Sequence, residues 1–285
     1  MTPMLVRDVM VRDVAYVSLP GNRDQVLKTL QKRQVSGVPV IKKGEVVGMI
    51  TRSDLLRNRE EDQTALLMSR NPVVVTPDSS ILDACNLLLR HAIRRLPVVE
   101  DHKLVGIITI ADLVKVAADL AIEEGIAGYY EKSIVAMWSE MPLPVAGAIM
   151  EYAQVQACPV IDSSLKLVGI ISDRDLIKSS IIEDSVGKTD MSAAHGDDKW
   201  MWESVMQTMN KYYAVSRISL RNIPVSEAMV KPITAIKSAK VGECASMMHR
   251  DKIDQIPVIS SSQKLIGILR DIDIMKALVV HLQID

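Results

Sequence analysis

The sequence predicts an α+β fold of four strand–helix–strand–strand–helix units, and two observations predict it. The first is a fourfold internal repeat. Residues 35–56 read VSGVPVIKKGEVVGMITRSDLL and residues 93–114 read IRRLPVVEDHKLVGIITIADLV. Residues 155–177 read VQACPVIDSSLKLVGIISDRDLI and residues 253–275 read IDQIPVISSSQKLIGILRDIDIM. The second is a constant offset within each copy. A glycine follows the proline of Pro-Val-(Val/Ile) by 9 or 10 residues, at Gly48, Gly106, Gly169 and Gly267, and an aspartate stands six further on, at Asp54, Asp112, Asp175 and Asp273.

Each element of a unit has a local reason. In the first copy, Pro39-Val40-Ile41 and VVGMI at 46–50 are short β-branched runs separated by the turn signal KKGE, so they form an antiparallel hairpin. Proline opening such a strand gives up a ladder donor that the first position does not need. Upstream, Val26, Leu27, Leu30 and Val35 make an apolar stripe at helical spacing, as do Ile81, Cys85, Leu88 and Leu89 before the second hairpin. Downstream of each aspartate a helix is expected, as in DLVKVA at 112–117. One such unit is too small to close a core alone, so units are expected to pair.

Between units the spacing changes. Pro39, Pro97, Pro159 and Pro257 are separated by 58, 62 and 98 residues. The long interval carries a polar, turn-rich insertion at 183–200, followed by a helical face of Met201, Val205, Met209 and Tyr212. Together they make an inserted linker and helix at about 183–215. A second connector, residues 116–141, reads as largely helical. The boundary between two-unit halves falls near residue 120, giving 1–120 and 121–285.

Bulk properties exclude several classes. The 285 residues are 48% apolar, enough for a sizeable core, and 34 basic against 35 acidic residues leave a net charge of −1. A strongly basic nucleic-acid surface is not indicated. No run of about 18 apolar residues suggests a membrane span, and the first residues lack the apolar stretch of a signal peptide. Cys85, Cys158 and Cys244 are far apart with no CxxC spacing, which fits a cytoplasmic protein without disulfides or zinc. With no Phe and 16 Met, methionine is the expected core filler. Gly187-Lys188-Thr189 lacks the upstream glycine of a phosphate-binding loop. His91, His102, His195, His249 and His281 show no ligand spacing, although His91 stands near Arg94. No constellation for catalysis or metal binding is visible, so the chain reads as a non-enzyme.

The repeats resemble the CBS domain, the module named for cystathionine β-synthase. The resemblance rests on the h-P-V-h strand, the G-h-h-(S/T)-x-x-D segment and a lead-in ending in methionine. That lead-in reads Asp8-Val9-Met10, Leu66-Leu67-Met68 and Glu227-Ala228-Met229, and is replaced near Tyr130 in the third copy. The resemblance implies four β-α-β-β-α CBS units paired into two Bateman modules, with up to four clefts for AMP, ADP, ATP or S-adenosylmethionine. It also implies a ligand contact at the two residues −3 and −2 from each proline: Ser36-Gly37, Arg94-Arg95, Gln156-Ala157 and Asp254-Gln255. Arg94 and Arg95 would neutralise phosphates and Asp254 repel them, so the N-terminal half is expected to prefer phosphorylated adenosines.

The segment Thr51-Arg52-Ser53-Asp54 admits two readings. As a capping box, Thr51 and Asp54 satisfy the free N–H groups of a helix start, contributing about 1 kcal/mol. As a ligand site, the aspartate accepts both hydroxyls of a ribose and the helix start faces phosphate. Thr109 with Asp112, and Ser172 with Asp175, repeat the pattern. In the fourth copy Arg270 replaces the hydroxyl while Asp273 persists, which favours a ligand role for the acid. The expectation is a regulatory sensor of adenosyl ligands acting on an unknown protein effector. A scaffold with empty clefts and a nucleic-acid-associated regulator remain the alternatives. The reading involves no membrane and leaves room for a homodimer.

Overall fold

The glycine six residues before each aspartate is explained by what lies on it. The structure, a computed structural model, describes residues 4–58, 60–187 and 213–284. In the first unit the strands Gly37–Lys42 and Glu45–Thr51 form the predicted hairpin, with Val40 opposite Gly48 and a bulge immediately after. The other hairpins repeat this register, pairing Val98 with Gly106, Val160 with Gly169 and Val258 with Gly267, each followed by the same shift. A Cβ on Gly48 would stand 2.5 Å from Met68 Sδ, and on Gly106 2.6 Å from Met10 Sδ. On Gly169 it would stand 2.2 Å from Met229 Sδ, and on Gly267 2.2 Å from the Tyr130 ring. Each lead-in residue therefore seats on the sheet of the other unit in its pair.

The exchange is reciprocal. The first unit's lead-in bridges the second unit's sheet at Val11↔Ile107, while Ser69–Arg70 of the second pairs with Glu45–Thr51 of the first. Likewise Glu131 bridges Ile268, and Val230 bridges Ile170. Units one and two, and units three and four, are thus mutually dependent pairs. Tyr130 takes the methionine position in the third unit. In the first pair, Glu45↔Lys103 joins the hairpins into one six-stranded sheet; the second pair has two three-stranded sheets. Proline is third in its strand rather than first. The short parallel neighbour begins only beyond it, at Val17↔Val40, so its missing N–H breaks no pairing there.

A substitution at the exchange point tests it. In Gly267→Ala the new methyl must displace the Tyr130 ring and also meets Glu131 O at 2.8 Å, an atom held in the Glu131–Ile268 bridge. The expected loss is about 2 kcal/mol, typical of forcing a methyl into a filled site, read by urea denaturation.

The halves pack through their helices. Ile110–Asp119 of the second unit lies on Val241–Asp251 and Asp271–Ile284 of the fourth, and Ile110, Leu113, Val241, Cys244, Met248 and Leu278 share one continuous core. The first and third units meet through Arg52–Arg57 and Asp173–Lys178, with Ile177 entering the first unit's core. The stripe helices appear as Arg23–Arg33, with Val35 just past its end, and Ile81–Arg90.

Both connectors depart from expectation. The connector at 116–141 is not largely helical: beyond Asp119 it holds only the 3-10 turn Ile126–Gly128 and the strand Met137–Trp138. Its apolar residues are the lead-in and first strand of the third unit, and pairing of Met137 with Val160 overrides helical spacing. The insertion also begins as structure, because Ser180–Gly187 pairs antiparallel with Tyr213–Leu220. The rest of it, including the helix expected at 201–212, lies outside the described residues. Among the described residues no helix is long and apolar enough to cross a membrane.

Candidate functional site

The four Asp positions are built alike in three units and differently in the fourth. In the first three the strand ends on the hydroxyl residue, extended, and the helix begins at the next residue. Thr51 donates its N–H and hydroxyl to Asp54 Oδ2 at 2.8 and 2.7 Å. Thr109 does the same to Asp112 Oδ2 at 2.8 and 2.7 Å, and Ser172 to Asp175 Oδ2 at 3.0 and 2.6 Å. All these bonds fall on Oδ2, which leaves Oδ1 for a further donor. At Asp273, Oδ2 accepts from Arg270 N–H and Nε, and Oδ1 from Arg270 Nη2 and Lys276 Nζ at 3.1 and 3.0 Å. Arg270 therefore replaces the hydroxyl as a partner, and persistence of Asp273 has a structural cause. Both its oxygens are taken.

A cavity of about 610 Å3 lies beside Asp112. The second unit supplies Thr109, Asp112, Arg94 and Arg95 to its wall, and the first supplies Ser36 and Gly37. The lead-in adds Asp13, Val14 and Ala15, which the exchange of lead-ins brings across the pair. The opposite half contributes Arg174, His249, Lys252, Asp254 and Asp271.

The sequence-predicted residues thus divide. Ser36, Gly37, Arg94, Arg95, Thr109 and Asp112 converge on one cavity. Thr51 and Asp54, and Ser172 and Asp175, meet within their own boxes but do not line it. Nor do Gln156 and Ala157, or Gln255, which is buried in its strand opposite Arg270. His91 caps the helix Ile81–Arg90, exposed and outside the cavity wall, whereas His249 lies in that wall. Asp254, expected to act only in the second half, lies in the same wall, 3.6 Å from Arg94.

Electrostatics of the cavity are set by burial. Arg95 Nη2 donates to Ser36 Oγ at 2.8 Å, while Nη1 is buried without a hydrogen-bond partner. A Cβ on Gly37 would stand 1.7 Å from that Nη1, so the −2 glycine is what lets the guanidinium lie flat there. Burial, with Arg94 and Arg52 nearby, pulls Arg95 down to about 10, still charged at neutral pH. For Arg94, burial opposes the charge and Asp271 and Asp254 more than restore it. Asp112 is pushed above the usual carboxylate range by burial, against the lowering effect of its Thr109 bonds. Arg33 is paired with Asp13 at 2.6 Å. Among the described residues Arg95, Arg174 and Lys252 have no carboxylate at salt-bridge distance, and no His, Cys, Asp or Glu group is arranged to hold a metal.

Residues 6–61, 64–119, 126–181 and 225–280 each match the CBS domain. The chain belongs to the CBS domain family. Its four CBS units pair two and two into Bateman modules, as the lead-in exchange requires. Protein MJ1225 of Methanocaldococcus jannaschii is 26% identical over 192 residues, 61% of this chain and 69% of that protein. The CBS domain-containing protein YhcV of Bacillus subtilis is 35% identical over 114 residues, 38% of this chain and 81% of that protein. A crystal structure of a conserved Pyrococcus horikoshii protein, 27% identical, superposes with a TM-score of 0.64 over 96% of this chain and 100% of that one. The crystal structure of MJ1225 gives 0.76 at 20% identity, over the same shares, and shows the fold.

Proposed function

We propose that this protein is a non-catalytic sensor of adenosyl ligands, with AMP, ADP or ATP bound in the cavity around Asp112. One observation carries the reading. A carboxylate with one oxygen left free by its own box faces the same cavity as three cations lacking carboxylate partners. The free Oδ1 suits a ribose diol, and Arg95, Arg174 and Lys252 suit phosphate. A volume of about 610 Å3 falls within the range of small-molecule pockets. S-adenosylmethionine carries a sulfonium and would meet those cations unfavourably, so phosphorylated ligands rank first.

Residues 1–120 and 121–285 are the two modules on this reading, and because both contribute wall the ligand bridges them. It shifts their relative orientation only by its differential affinity for the two arrangements, and a protein effector reads the shift. Three free, buried cysteines fit the cytoplasm. The shared core of units two and four argues for testing the full chain rather than its halves. Calorimetric titration with AMP, ATP, adenosine and S-adenosylmethionine should give saturable binding, tighter for AMP and ATP than for the other two. No binding of any of them would favour the scaffold with empty clefts.

A further inference from the structure

Beside the three cations without carboxylate partners the cavity holds a fourth, Arg94, and that one is engaged by a carboxylate of the chain itself. Arg94 stands ahead of the strand Arg95–Glu100 and reaches across the module boundary to Asp271, the first residue of the helix Asp271–Ile284. Both line the cavity. Asp271 is 3% exposed, and its N–H donates to Asp254 O at 2.8 Å, which fixes its place. Its Oδ2 accepts from Arg94, while Oδ1 is buried with no hydrogen-bond partner. A carboxylate so buried and half-satisfied depends on Arg94 for its charge.

We propose that Asp271 is a built-in competitor for ligand phosphate: the phosphate takes Arg94 from it, and the released carboxylate takes up a proton from solvent. The proposal rests on the reading of the cavity as a nucleotide site. Burial and the neighbouring Asp254 hold Asp271 up at about 6 even with Arg94 in place. Loss of Arg94 and arrival of a phosphate both raise it further. Asp271 is thus ionised in the free protein above about pH 6 and neutral in the complex over a range above that. Nucleotide binding therefore strengthens as pH falls towards 6, and below that the gain ends because the free protein is already protonated. The other charged groups around this point are Arg95, Arg174, Asp254, Arg270, Asp173, His249 and Lys252. His249 is a second ionisable group in the same wall, so the contribution of Asp271 is isolated by difference.

The test is calorimetry of the full chain at pH 7 to 8, where AMP stays dianionic, in buffers of different ionisation enthalpy. Wild-type protein should take up a fraction of a proton with AMP and none with adenosine, and that uptake should fall in Asp271→Asn. The variant should bind AMP about tenfold tighter, with adenosine unchanged. Equal uptake in both proteins, or AMP binding that Asp271→Asn leaves equal or weaker, would overturn the proposal and leave the nucleotide site standing. If Asp271→Asn does not fold, wild-type uptake decides: AMP affinity no better at pH 7 than at pH 8 overturns it. Failure of both AMP and adenosine to bind the wild type would remove the site, and the proposal with it.

Discussion

Asp112→Ala is expected to weaken binding of adenosine and of AMP by tenfold or more, with a stability loss of only about 1 kcal/mol. The two effects separate because the carboxylate has two oxygens with two duties. Oδ2 closes the capping box with the Thr109 N–H and hydroxyl, and loss of such a cap costs about 1 kcal/mol. Oδ1 is the proposed acceptor for a ribose diol, and charge-assisted hydrogen bonds contribute roughly 1.5–3 kcal/mol each, so one lost bond suffices for the tenfold change. Burial holds the Asp112 carboxylate above its usual range, and two hydroxyl donors would favour its ionised form. Asp273→Asn supplies the contrast. Its oxygens are occupied by Arg270 and Lys276, so nucleotide affinity should hold while stability drops. Calorimetry reads the first quantity and urea denaturation the second. Unchanged affinity in Asp112→Ala would reduce that acid to a helix cap.

What could be read from the sequence follows the range of the interaction. Hairpins, stripe helices and the boxes at Thr51, Thr109 and Ser172 depend on residues a few positions apart, and periodicity carries them. The glycine at the fixed offset was legible as a rule but not as a cause. Its cause is the lead-in of the other unit, Met10 on Gly106 and Met68 on Gly48, contacts that span 96 positions in one case and 20 in the other. The connector at 116–141 misled because its apolar residues suit a helix in isolation; aligning Met137-Trp138 with Val17-Ser18 would have marked a strand. In the near half of the cavity Thr109 and Asp112 were legible from the repeat, and Ser36, Gly37, Arg94 and Arg95 only through the family resemblance. Arg174, His249, Lys252 and Asp271 arrive from the opposite module, and no local pattern predicts which faces meet. A signal did exist, since the residue after each hydroxyl position is Arg52, Ile110, Asp173 and Asp271. Three charged residues at a helix start point to partners elsewhere.

Arg52→Ala should be the costliest single change at the module boundary, about 3–5 kcal/mol. Arg52 Nη1 meets Asp173 Oδ1 at 3.1 Å, with the two side chains only 9% and 17% exposed. Removing one member of a buried pair strands the other, and that penalty exceeds the pair's own net contribution. Asp173 is already held above its usual range, chiefly by burial and with Asp254 adding to it, although Arg52 pulls it down. Without Arg52 it rises further. A carboxylate whose folded pKa lies above its unfolded one favours the folded state while protonated, and that advantage disappears as pH rises through the folded value. The variant's deficit should therefore be full at pH 8 and shrink towards pH 5, as urea denaturation at both values would show. Arg52→Met with Asp173→Leu should restore most of the loss, because a well-packed apolar pair removes both desolvation costs. A deficit below about 1 kcal/mol at pH 8 would mean the pair behaves as a surface salt bridge. The first module brings Arg52 and Arg94 to this boundary and the second answers with Asp173, Asp254 and Asp271. Two copies of the first module set face to face would bury like charges. The arrangement thus favours a first module against a second over two first modules face to face.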